Sequence, residues 1–300
     1  MSVSLAAPRP ASAFLPLILA STFLQGSSFI ATQLALASVP PLWLAALRFG
    51  VAALPLLPVL LWRGLGLRGL PWRDLWVIGL LQTAGVMAFL TLGLQHTTAP
   101  RAAILMASNP LLVALLSAPV LGQRVSPRGW CGLALAGVSI CIGPGQLAGG
   151  GGLGRGDLLV ACGSACWALS TLYGRARAPA VDPWALSFWQ MLIGALVLAL
   201  LALAVREPFA LPVGGTGWLA FLWLALPASS GAMSLWFAAL RAGGALRASG
   251  FLFLCPAFAA LIAYAVQGTT LSWHEAGGAV LIAIGVVLLT RRGREGLPEA

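Results

Sequence analysis

The sequence predicts an all-α integral membrane protein, ten transmembrane helices arranged as two inverted repeats of five. Three observations carry this prediction. Sixty per cent of the 300 residues are hydrophobic and 8% are charged, against about 25% charged in an ordinary soluble domain, so no water-facing surface can be made. Apolar stretches close to the spanning length of about 20 residues recur from end to end. The chain also matches itself, without gaps, at an offset of 146, the spacing of Trp72 from Trp218, which is the mark of an internal repeat.

Apolar runs bounded by Pro, Gly and Arg put the first five spans at about 13–37, 41–62, 75–95, 99–121 and 128–143. The second five fall at about 157–175, 183–204, 217–239, 246–266 and 275–290. Inside lipid the backbone must satisfy its own hydrogen bonds, which helices do and open sheets do not. The first span has no Lys/Arg cluster before it and no small-residue cleavage site after it, so it is expected to stay as a helix and not to be removed as a signal peptide. Pro110 in the fourth span and Pro256 in the ninth each free a carbonyl and are expected to kink their helices, as hinges or as shaping elements.

All seventeen basic residues are Arg, and all but Arg48 lie singly or in small groups between or at the ends of apolar runs, never on one face. The net charge of +10 therefore does not point to nucleic acid. With ten spans, Arg9, Arg63, Arg68, Arg73, Arg124, Arg128, Arg175, Arg177, Arg241, Arg247, Arg291, Arg292 and Arg294 share one side, against Arg101, Arg155 and Arg206 on the other. The positive-inside rule puts both termini in the cytoplasm.

The identities at offset 146 include Trp72/Trp218, Gly85/Gly231, Met87/Met233, Arg101/Arg247, Pro110/Pro256 and Gly132/Gly278. The first two spans of each half align at an offset of 142 instead, through pairs such as Pro41/Pro183. The division is a first repeat over 1–146, a Gly-rich linker over 147–156 and a second repeat over 157–300. Five spans per repeat is odd, so the second repeat is inverted, an architecture that sets a substrate site at the midplane between the halves.

Gly26-Ser27-Ser28-Phe29-Ile30, Pro41 followed by Leu47-Arg48-Phe49, Asn109-Pro110-Leu111, Leu121-Gly122-Gln123, Trp167-Ala168 and Pro256 together resemble the ten-helix EamA-type branch of the drug/metabolite transporter superfamily, and within it the YddG-like amino-acid exporters. Gln25, Gln33 and Gln123 depart from that pattern, where the family usually has Trp, Lys and Glu. The resemblance implies export of small metabolites, amino acids above all, aromatic or of broad range, by alternating access. It also implies a bacterial inner-membrane location, in keeping with the Ala, Gly, Arg and Pro excess. A sugar, nucleotide-sugar or drug exporter is the alternative, although nucleotide sugars would call for several cavity cations.

The one charge well inside a span is Arg48. An Arg near the bilayer centre costs about 2.5 to 3.5 kcal/mol on insertion scales, and it either holds a substrate carboxylate or reaches the headgroups or a neighbouring helix end. The further substrate-binding candidates are Gln25, Ser28, Gln82, Asn109, Trp167, Ser170, Tyr173, Gln190, Ser229, Ser230 and Trp236. Their amides and hydroxyls can hydrogen-bond a substrate or tie helices together, and the indoles can stack or hold an ammonium.

Asp74, Asp157, Asp182, Glu207, Glu275, Glu295 and Glu299 are all assigned to loops, helix ends or the tail. Proton-coupled antiport needs a buried membrane carboxylate, so facilitated transport or exchange is expected. Ser229-Ser230 has no base in reach, since His96 and His274 fall at helix ends, and an enzyme is not expected. The five cysteines sit inside apolar runs without paired spacing; no metal and no cofactor are expected. The partners are a small-molecule substrate and the lipid bilayer, with the chain working as a monomer.

Overall fold

Proline opens two repeat-related helices of the chain. At the first helical position its missing N–H loses nothing and its fixed φ suits the turn, so Pro41 starts one helix and Pro183 its repeat counterpart. The computed structural model describes residues 14–65, 69–107, 154–177, 179–243 and 254–269, and single positions within 109–116, 251–252 and 273–284. Eight helices are described over continuous stretches, α1 (Phe14–Leu36), α2 (Pro41–Trp62), α3 (Trp72–Leu94), α4 (Ala99–Ala107), α5 (Arg155–Arg177), α6 (Pro183–Ala204), α7 (214–243) and α8 (Leu254–Gln267).

Five of them, α1, α2, α3, α6 and the Gly214–Ala239 part of α7, are long and apolar enough to cross a membrane. The 22 residues of α2 span about 33 Å at 1.5 Å per residue, close to the hydrocarbon thickness. α5 has 23 residues, with charges confined to its two ends. The expected fifth span lies outside the described residues, and so do most residues of the expected tenth span. Three helices begin earlier than the hydropathy suggested, α7 among them at Gly214. Pro71 lets α3 start at Trp72, and α5 starts at Arg155, inside the expected linker.

Three helices depart from regular α geometry. Pro55 and Pro58 remove two amide donors from α2, which tightens into a 3₁₀ turn over Leu54–Leu56 before resuming. α3 widens into a π turn over Gly79–Gly85 and α7 into another over Leu226–Gly231. The C-terminal residues of these turns, Gly85 and Gly231, are repeat counterparts at the 146 offset. Pro256 does not kink a helix interior; it is the third residue of α8, in the first turn, where no intrahelical bond is lost.

The main packing partners occur in repeat-related sets. α1 lies on α7 as α5 lies on α3, α1 on α8 as α5 on α4, and α7 on α2 as α3 on α6. α2 packs on α6, and α4 on α8, each a helix with its own counterpart. Polar contacts at both ends fix the direction of the central pair. Glu207, just past the C-terminus of α6, accepts the amides of Leu42 and Trp43 at 3.1 and 3.0 Å. Arg63, past the C-terminus of α2, meets the α6 cap Asp182 at 3.5 Å. α2 and α6 therefore run antiparallel.

At the Glu207 end, Asp157 receives Thr97 Oγ1 at 2.8 Å and Arg101 Nη2 at 2.8 Å, tying α4 to α5. At the opposite end Asp74 accepts Tyr173 Oη at 2.7 Å and Arg177 Nε at 3.4 Å. Between these ends the outer surface carries exposed Leu and Trp side chains such as Leu61, Leu203 and Leu219, with Trp62 85% exposed. In water such a surface would aggregate; in a bilayer it is the lipid contact.

Candidate functional site

Close helix approach is set by small residues. A Cβ on Gly26 would stand 2.6 Å from the Cys255 carbonyl oxygen, so α1 and α8 meet backbone to backbone. A Cβ on Gly194 would stand 2.3 Å from Thr83 Cβ, so α6 rests against the π turn of α3. These contacts hold the helices around a central cavity of about 540 Å³.

Residues of both halves line it. α1 contributes Gln25, Ser28 and Phe29, α2 contributes Arg48 and Phe49, and α3 contributes Gln82, Thr83, Val86, Met87 and Leu90. From the second half come Trp167 and Thr171 of α5, Gln190 and Met191 of α6, Ala228, Ser229, Ala232, Met233 and Trp236 of α7, and Cys255 of α8. The two π turns supply Gln82, Thr83, Ala228 and Ser229. A π turn inserts one residue, rotates the side chains after it and is frequent at functional sites.

Arg48 is 6% exposed, on the cavity wall. Its Nε donates to Ser229 Oγ at 2.9 Å, and its guanidinium lies 5.0 Å from the Phe49 ring centre. Ser229 in turn donates to the Leu224 carbonyl at 2.7 Å. The four described carboxylates are engaged elsewhere, at the bundle ends. Asp74 binds Tyr173 and Arg177, Asp157 binds Thr97 and Arg101, Asp182 binds Arg63, and Glu207 caps α2. Among the described residues, Arg48 has no carboxylate partner.

The family model described as the EamA-like transporter family matches residues 13–142 and 154–291. The chain belongs to the EamA-like transporter family. The uncharacterized transporter YyaM of Bacillus subtilis is 29% identical to it, over 94% of this chain and 94% of that protein. The uncharacterized inner membrane transporter YedA of Escherichia coli K12 is 30% identical, over 88% of this chain and 86% of that protein. A chloroplastic WAT1-related protein of Arabidopsis thaliana is 24% identical, over 89% and 67%. A solved crystal structure superposes with a TM-score of 0.68 at 25% identity, covering 95% of this chain and all of that one. The protein is thus a multi-pass membrane protein of a transporter family, with the EamA domain present in two halves.

Within this EamA frame, Gln25, Ser28, Arg48, Gln82, Asn109, Trp167, Gln190, Ser229 and Trp236 of the sequence candidates line the cavity. Ser170, Tyr173 and Ser230 are not in the lining. Ser170 is buried, Tyr173 lies at the end of α5 on Asp74, and Ser230 donates to the Ala52 carbonyl, joining α7 to α2. Pro110 lies outside the described residues. Asn109 has one amide proton committed to the Ser164 carbonyl at 3.1 Å, and Gln25 donates to Ser21 Oγ at 3.1 Å.

The motif over Gly26–Ile30 divides its work by residue. Gly26 admits α8, Ser27 accepts Trp223 Nε1 at 2.8 Å, Ser28 and Phe29 face the cavity, and Ile30 is core.

Sequence reasoning missed that the lining itself follows the repeat. At the 142 offset Gln25 pairs with Trp167, Phe29 with Thr171, Arg48 with Gln190 and Phe49 with Met191. At 146, Gln82 pairs with Ala228, Thr83 with Ser229, Val86 with Ala232, Met87 with Met233, Leu90 with Trp236, Met106 with Leu252 and Asn109 with Cys255. The signal was already available, because aligning the candidates against the repeat would have produced these partners.

Proposed function

We propose that this protein is a facilitated exporter of small carboxylate-bearing metabolites, amino acids among them. It works by alternating access around the central cavity, as a monomer in a bacterial inner membrane. The observation that carries the reading is Arg48, a buried guanidinium on the wall of a cavity shared by both halves, with no carboxylate partner among the described residues. A cation at that depth is costly unless something neutralises it, and a substrate carboxylate supplies that neutralisation with charge-assisted hydrogen bonds.

The architecture we infer is two inverted repeats of five spans, divided near 147–156, with both termini cytoplasmic. The antiparallel packing of α2 on its counterpart α6 supports inversion, and the Arg distribution supports the orientation. The Glu207 end is then outside and the Asp74 end inside. Pro256, at the start of α8, marks a boundary about which that helix can pivot; the hinge assigned to Pro110 rests on the sequence alone.

Facilitated transport follows from the engaged carboxylates. None of the four described lies on the cavity wall, where a proton-coupling group would have to exchange with substrate. One cavity cation also favours a single carboxylate over the phosphates of a nucleotide sugar. Efflux of labelled amino acids, sugars and cationic drugs from proteoliposomes tests the proposal. Amino-acid efflux down its gradient, unaffected by a pH step, is expected; uphill accumulation driven by a pH gradient alone, or efflux of the drugs alone, refutes it.

A further inference from the structure

The repeat pairs lining the cavity share positions but not chemistry. Arg48 faces a counterpart Gln190, and Gln25 a counterpart Trp167. In both the first half has the greater capacity to bind an anionic or polar head, and the second half adds the indole of Trp236. The cavity is therefore amphipathic, with one fixed positive charge and no negative one among its described residues.

We infer that the cavity selects organic monoanions, a single carboxylate on a largely apolar body, over zwitterions, and that net transport is electrogenic. The inference rests on the transport reading of the same cavity and orders its substrate class, placing zwitterionic amino acids below carboxylates whose amine is absent or acylated. A bound monoanion brings the site to net neutrality. A zwitterion leaves the Arg48 charge balanced only by also burying an ammonium, whose hydration has to be replaced by neutral amides or indole faces. The sequence holds only three further acids, Glu275, Glu295 and Glu299, and the last two follow the final apolar run.

The electrical consequence gives the direction. One negative charge leaves per cycle, and an inside-negative potential drives it outward, sustaining a gradient of about 50-fold per 100 mV. Arg48 stands seven residues into α2 from the Glu207 end, on the outer side of the midplane in the proposed orientation, where it draws the anion along that path.

The test uses three probes with one side chain and different charge, N-acetyl-leucine, leucine and leucinamide, in efflux from proteoliposomes with a valinomycin-set potassium potential. N-acetyl-leucine is expected to leave at least tenfold faster than leucine, and to accelerate when the interior is negative. Leucinamide is expected to leave at the rate of protein-free vesicles. R48K, which keeps the charge, retains the preference, and R48Q, compared per folded protein by size-exclusion chromatography, loses it together with most of the N-acetyl-leucine efflux. Leucine efflux as fast as that of N-acetyl-leucine, or anion efflux indifferent to potential, overturns this inference and leaves the transport reading standing. Failure of all three probes and of the wider panel overturns both.

Discussion

Gly194→Ala tests whether the cavity wall depends on contact between α6 and the π turn of α3. The new Cβ would stand 2.3 Å from Thr83 Cβ and 2.4 Å from Thr83 Cγ2, and 3.2 Å from the Ala84 amide nitrogen. Relief to the usual carbon–carbon separation of about 3.5 to 4.0 Å needs a shift of about 1.2 to 1.7 Å. Thr83 Cβ is one bond from the backbone, so no rotamer change clears it and the helices themselves must part. Overpacking of this kind costs about 1 to 3 kcal/mol, and the gain of about 0.5 to 1 kcal/mol from replacing a helical glycine offsets part of it. The expected net loss is about 0 to 2.5 kcal/mol, centred a little above 1 kcal/mol because the clash is with a Cβ that cannot rotate away, read as unfolding free energy in an SDS titration of the micellar protein. Transport per folded molecule should also fall, because Thr83 and Gln82 line the cavity. Thr83→Gly removes both clashing carbons, so the double variant should recover more than the sum of the singles. A stabilised Gly194→Ala, or the absence of that coupling, refutes the packing argument.

Adjacent serines on α7 should separate function from stability. Ser229→Ala removes the hydroxyl held by Arg48 Nε, and is expected to cut efflux several-fold in the proteoliposome assay. Ser230→Ala removes only the bond to the Ala52 carbonyl, and should cost about 1 kcal/mol of stability with efflux per folded molecule unchanged. Leu196, half exposed near the middle of α6, faces lipid on this reading. Leu196→Arg should then lower membrane insertion by about 2.5 to 3.5 kcal/mol in a glycosylation-reporter assay, whereas Leu196→Ala stays close to wild type. In a background lacking the native cysteines, Gly215→Cys should react with an impermeant maleimide on intact spheroplasts, and Ala176→Cys only after lysis; the reverse pattern inverts the proposed topology.

Hydropathy made the helices legible because lipid selects length and apolarity, properties local to each segment. α2 and α6 begin where Pro41 and Pro183 were expected to begin them. The choice among polar residues was less legible, because it depends on which face turns inward. Ser229 and Ser230 differ by one helical step, and one reaches the cavity while the other reaches Ala52. Tyr173 reads as a polar aromatic in an apolar helix, yet its partner Asp74 is 99 residues away in sequence. The π turns were hidden as well. Gly79–Gly85 and Leu226–Gly231 contain ordinary membrane-helix residues, and only Pro227 hints that the regular bonding pattern is interrupted.

The paired π turns connect the repeat to the proposed mechanism. Alternating access between inverted halves asks for two walls of the same shape, so that exchanging the halves' conformations opens the cavity to the other side. The shared turn geometry in α3 and α7 and the shared Met87/Met233 pair meet that requirement. Holding an asymmetric molecule asks for the opposite, walls of unequal polarity. Arg48 against Gln190 and Asn109 against Cys255 meet that second requirement, each pair lying on the cavity lining. Symmetric backbone and asymmetric lining can therefore diverge independently. Substitutions at the glycine contacts should impair every substrate alike, while substitutions at Arg48 and Gln190 should redistribute activity among substrates of different charge.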